Sequence, residues 1–109
     1  MRKLRPRVRA LKLATKVRER LSAELGQPVK VIMYGSQARG DATKESDIDL
    51  LVILPSLDDK TRNLISDITW EVGFDSGKVI SAIPSTEEKI KRLDFLPFYQ
   101  IVKKEGIPV

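Results

Sequence analysis

Residues 48–54, Ile-Asp-Leu-Leu-Val-Ile-Leu, constrain the fold of this chain more than any other stretch. Side chains along an extended strand alternate between two faces. Ile48, Leu50, Val52 and Leu54 therefore point one way, and Asp49, Leu51 and Ile53 the other. Beyond the aspartate both faces are apolar, which marks a central strand covered on both sides. Such a strand needs helices above and below it, and the rest of the sequence supplies them.

Val8, Leu11, Ala14, Val17, Leu21 and Leu25 recur at three- and four-residue steps, so residues 7–25 read as an amphipathic helix between Pro6 and Gly26. Residues 29–34 (VKVIMY) are short, apolar and β-branched, and read as a strand. Residues 35–47 read as a polar loop with room for one helical turn. Asp58 or Asp59 caps a helix to about Val72 that turns Leu64, Ile65, Ile68 and Val72 inward, and Gly73 and Gly77 bracket a turn. Residues 78–83 form a third strand before Pro84, the spacing Ser85-x-x-Glu88 predicts a capping box, and Pro97 opens a last helix. The order is α-β-β-α-β-α-α without repeat or linker. This predicts one α/β domain over residues 1–109, with a small mixed sheet of about three strands flanked by helices.

The chain has neither cysteine nor histidine. Disulfides, thiolate zinc sites and imidazole catalysis are excluded, so metal chemistry must use oxygen ligands and hard cations such as Mg²⁺. No apolar run is long enough to cross a bilayer. The net charge of +5 is uneven, since nine of the first twenty residues are Lys or Arg. A basic start of this kind suits a transit peptide, but this one also carries a full apolar helix face that cleavage would remove from the core, so a cytoplasmic protein is expected. Arg2, Lys3, Arg5, Arg7, Arg9, Lys12 and Lys16 lack interleaved aromatics. They read as a solvated or partner-docking face rather than a nucleic-acid contact.

The chemistry is concentrated in Tyr34-Gly35-Ser36-Gln37-Ala38-Arg39-Gly40-Asp41 and Ser46-Asp47-Ile48-Asp49-Leu50. A glycine loop after a strand lets backbone N–H groups approach an anion, Ser36 adds a hydroxyl, and Arg39 adds a positive charge. Asp47 and Asp49 stand two apart at a strand's start, so their carboxylates share a face and repel unless a cation lies between them. Each fragment alone is ordinary: Gly-Ser is a common turn, Asp-x-Asp a common strand entrance, and Arg39 a common surface charge. Their conjunction between two apolar strands points to a Mg²⁺–polyphosphate site.

Gly35-Ser36, ten residues, then Asp47-x-Asp49 resembles the hallmark of the DNA polymerase β-like nucleotidyltransferase superfamily. Arg39-Gly40 and the trailing SDIDLLV are similar to its minimal nucleotidyltransferase (MNT) group. The resemblance implies that fold, with Gly35, Ser36, Arg39 and Ser46 at a nucleoside triphosphate (ATP) and Asp47 and Asp49 as catalytic ligands of Mg²⁺. It implies transfer of a nucleoside monophosphate to a hydroxyl, with pyrophosphate leaving. It further implies an antitoxin paired with a helical HEPN ribonuclease that is the acceptor in some systems and merely bound in others. Members of the superfamily add a third carboxylate from the next core strand, where this chain has Val79-Ile80-Ser81-Ala82-Ile83. Ser81 is expected at that position, with Glu71 and Asp75 just upstream. The missing acid leaves a second reading open, a non-catalytic module that binds nucleotide or partner. Trp70, Phe74, Phe95, Phe98 and Tyr99 read as core or interface residues, and Tyr34 as packing at the sheet end.

Overall fold

The computed structural model describes residues 4–109. The elements are α1 (Val8–Leu25), β1 (Lys30–Tyr34), α2 (Ser36–Arg39), β2 (Ile48–Leu54), α3 (Asp59–Ser76), β3 (Ile80–Thr86), α4 (Glu87–Arg92), α5 (Pro97–Glu105) and β4 (Ile107–Pro108). The strands form one mixed sheet in the order β3-β2-β1-β4. β2 pairs antiparallel with β1 and parallel with β3, and α3 carries the crossover that a parallel pair requires. β4 is a fourth strand beyond the three expected, joined to β1 through Ile32–Pro108 and Met33–Ile107. Two residues, one of them proline, are too few to display an alternating pattern.

β2 lies in the middle and is covered on both faces, as its composition requires. Ile48, Leu50, Val52 and Leu54 pack with Ala10, Ala14, Val17 and Leu21 of α1 and Ile65, Ile68 and Val72 of α3. Leu51 and Ile53 face the opposite layer, against Tyr99 and Val102 of α5, Ile90 of α4 and Leu93 at its C-cap. Asp49 belongs to this second face, so the helix that ends nearest to it is α5 rather than α1.

Local departures from the expected boundaries have physical causes. The buried stripe of α1 begins at Ala10, and Val8 stays exposed in the first turn. Asp58 caps α3 by accepting the Thr61 N–H at 2.7 Å, a bond that holds its carboxyl below the usual range. That helix runs through Gly73 to Ser76, because the bare Cα of Gly73 lets the Lys78 carbonyl pass where a Cβ would collide. β3 continues through Pro84, which an outer strand tolerates when the proline nitrogen faces away from its neighbour. The cap of α4 is Thr86, accepting from Lys89 N–H at 3.1 Å. Ser85, expected to open a capping box, is instead fully buried in the strand and shares a 2.9 Å hydrogen bond with the Tyr99 phenol. Among the described residues no helix is long and apolar enough to cross a membrane.

The Ser85–Tyr99 bond ties β3 to α5 inside the second layer. Tyr99→Phe deprives a buried hydroxyl of its partner and is expected to cost about 1–2 kcal/mol. At about 4–8 °C per kcal/mol for a domain of this size, a thermal melt resolves that loss. An unchanged melting temperature would show that the bond contributes nothing.

Candidate active site

At the end of β1 the chain turns sharply into α2. Gly35 makes the turn at φ 77° and ψ −160°, a region open essentially to glycine alone. A Cβ at this position would run into the Asp49 carboxylate. The contact follows from strand register, since Tyr34 lies directly opposite Asp49. Pairing of β1 with β2 thus brings the glycine turn and the second aspartate together.

Asp47 is exposed just before β2, and Asp49 is half-buried on it. Burial, and then the charge of Asp47, push the Asp49 carboxyl above its ordinary range, with Arg39 opposing and Glu105 adding to the rise. Two carboxylates in this relation are the donor set that a hard cation would relieve. Tyr34 packs edge-on against Phe98 at 5.4 Å, the sheet-end role its position suggested. Its phenol is pushed up to about 12, by burial first and Asp49 second, so it stays protonated and neutral.

The loop between the two strands is built from backbone bonds. The Ser36 carbonyl accepts the N–H groups of Gly40 and Asp41 at 2.9 and 3.1 Å. Buried Gln37 donates its side-chain amide N–H to the Ser46 carbonyl at 3.1 Å, while its backbone carbonyl accepts the Arg7 backbone N–H at 2.9 Å. The Arg7 guanidinium reaches the Ala42 carbonyl at 3.1 Å, and that of Arg9 reaches the Ser76 carbonyl at 2.6 Å. Part of the basic start is therefore committed to clamping the loop and the end of α3. Arg2 and Lys3, counted with it, lie outside the described residues.

The Gly35 turn is also bound by a residue that sequence reasoning missed. Glu105, the last residue of α5, accepts the Gly35 N–H on Oε2 at 2.7 Å. The same carboxylate receives Arg39 Nη1 at 2.9 Å on Oε2 and 3.2 Å on Oε1. Arg39 also reaches Asp41 at 3.4 Å, and that hydrogen bond, followed by the Glu105 charge, raises its pKa further. A carboxylate in the last turn of a helix opposes the helix dipole, and here the Gly35 N–H and the Arg39 guanidinium compensate it.

Residues 14–109 match the protein family described as the nucleotidyltransferase domain. Over 81 residues the chain is 36% identical to a Methanocaldococcus jannaschii protein provisionally named a protein adenylyltransferase, covering 74% of this chain and 77% of that one. The chain belongs to the nucleotidyltransferase domain family. A crystal structure described as a nucleotidyltransferase from Sulfolobus solfataricus, also a provisional assignment, superposes with a TM-score of 0.61. It is 23% identical and covers 93% of this chain and 79% of its own, which supports the fold.

In this nucleotidyltransferase domain the third-strand position beside Asp49 is taken by Ser81, its partner in the parallel register. Glu71 does not come to the site: it is paired with Arg20 of α1 at 2.5 Å. Asp75 stands exposed on the last turn of α3. Among the described residues no three acids gather closely enough to hold a metal unaided. Ser46 commits its hydroxyl to the loop, accepting the Thr43 N–H at 2.9 Å. The Ser36 hydroxyl makes no side-chain hydrogen bond among the described residues and remains available to a ligand. Of the aromatic residues, Tyr99 is buried and Phe98 packs beside it, but Phe95 is exposed. Trp70 and Phe74 stack at 5.0 Å while 66% and 72% exposed, an apolar surface on α3.

Proposed function

We propose that this nucleotidyltransferase domain transfers AMP from Mg²⁺-bound ATP to a hydroxyl group of a protein acceptor. The observation that carries this reading is the junction of Gly35 with Asp49, a glycine turn against a carboxylate that burial and Asp47 push above its ordinary range. Gly35 N–H, the Ser36 hydroxyl and Arg39 would bind phosphate oxygens, and Asp47 and Asp49 would hold Mg²⁺. That ion would supply charge neutralisation on the transferring phosphoryl group. Asp47 and Asp49 would be its ligands at the start of β2, while the loop donors would hold the phosphates in line. The acceptor oxygen bonds to the α-phosphorus, the bond to the α,β-bridging oxygen breaks, pyrophosphate leaves, and the hydroxyl proton passes to solvent.

A protein acceptor is supported by the name of the Methanocaldococcus relative and by the exposed Trp70–Phe74 pair, which suits a helical partner. In the cytoplasm that partner would be a HEPN-type toxin, with this chain as its antitoxin. Ser81 at the third-acid position favours a second reading, in which the chain binds nucleotide and partner without transfer. Incubation with ATP labelled at the α-phosphate, Mg²⁺ and the protein encoded beside this chain distinguishes the two. Label on that protein is the expected result. Tight binding of both ATP and partner without label would establish the non-catalytic reading instead.

A further inference from the structure

We propose that Glu105 is an internal occupant of the triphosphate cradle, and that its carboxylate must swing out before nucleotide can bind. This inference rests on the nucleotide reading of the Gly35 loop. The carboxylate holds the two strongest anion donors of that loop, the Gly35 N–H at 2.7 Å and the Arg39 guanidinium at 2.9 and 3.2 Å. A phosphate oxygen would seek the same donors in the same directions. One N–H cannot serve two anions fully, and an incoming triphosphate would lie against a carboxylate of its own sign. Glu105 and the nucleotide are therefore mutually exclusive.

The arrangement is seated firmly. The Glu105 side chain is only 18% exposed, so its bonds are partly shielded from water. Its backbone lies between α5 and β4, where Gly106 N–H donates to the Val102 carbonyl at 2.7 Å and Val109 N–H to the Val31 carbonyl at 3.0 Å. β4 is also paired to β1. With the chain tied on both sides, release is a rotation of the side chain rather than a movement of the C-terminal segment. An affinity measured on the native chain is lowered by the fraction of molecules in which the cradle is free. By occupying the Gly35 N–H and the Arg39 guanidinium, Glu105 thus sets a threshold for nucleotide.

The test is calorimetric titration of Mg·ATP into the native chain, Glu105→Ala, Glu105→Gln, and each of these with Asp49→Asn. Loss of charge-assisted bonds worth roughly a factor of ten or more predicts at least about tenfold tighter binding by Glu105→Ala. Glu105→Gln keeps the shape but loses the charge, and is expected to bind more tightly than the native chain as well. A merely structural contact would not produce a gain of affinity on removal. Equal affinity in all three would overturn the proposal, and weaker binding by both Glu105 variants would make the residue a contributor to the ligand site. In either case loss of binding in the Asp49→Asn background would leave the nucleotide reading standing. Failure of every chain, Glu105→Ala included, to bind Mg·ATP would remove that reading and the proposal together.

Discussion

Replacing Asp49 by Asn is expected to reduce transfer of α-labelled AMP by at least about a hundredfold, because the site loses the carboxylate that both touches the glycine turn and completes the acid pair. The same change should stabilise the protein when metal is absent. In the fold the Asp49 carboxyl is raised above its ordinary value of 3.8, by burial first and then by Asp47. A raised carboxyl contributes stability that is fully present below the unfolded value and is lost as pH climbs through the folded one. At pH 7 the ionised side chain is therefore a burden on the metal-free fold, and Asn removes it. Transfer rates and metal-free melting curves should move in opposite directions, activity down and melting temperature up. An Asp49→Asn protein that transfers label at the native rate would show that the acid pair is not the metal site.

Gly35→Val is expected to weaken Mg·ATP binding by roughly a hundredfold, since a displacement on the order of an ångström among reacting groups has effects of that size. Two separate conflicts arise. The backbone at φ 77° and ψ −160° is strained for any residue with a Cβ, at about 1–3 kcal/mol. The new side chain also occupies the place of the Asp49 carboxylate. Ser36→Ala removes one hydroxyl and disturbs neither feature, so its effect should be much smaller. Calorimetry on the two variants, with thermal melts as a control for folding, measures the difference. Native-like affinity in Gly35→Val would mean that the turn is not the phosphate cradle.

The parts of this molecule that were legible in its sequence are those whose signals are local. Periodicity along β2 reported a strand buried on both faces because each of its residues meets one layer or the other. The Gly35-Ser36 and Asp47-x-Asp49 fragments could be placed together because two adjacent strands must return the chain to the same sheet end, and the register does so. Ser81, expected at the third-strand position, pairs with Asp49 because β2 and β3 run parallel from the same sheet end across the α3 crossover. Glu105 was not legible: it reaches Gly35 from a different layer, and a lone acid after Lys103 and Lys104 looks like a solvated helix end. Ser85 had the sequence of a cap, yet the Tyr99 phenol competes for its hydroxyl from α5, and the cap falls to Thr86. Tertiary partners decided these cases, and their identities are absent from any local window.

The two outermost strands of the sheet each contain a proline, Pro84 on β3 and Pro108 on β4. A foreign strand approaching β3 finds a gap in its row of donors at Pro84, and on the far side β4 offers only two residues to pair with. The sheet is self-limiting. Edge-to-edge pairing of copies is thereby disfavoured among the described residues, and the exposed Trp70–Phe74 stack offers an association surface made of side-chain shape rather than of backbone hydrogen bonds.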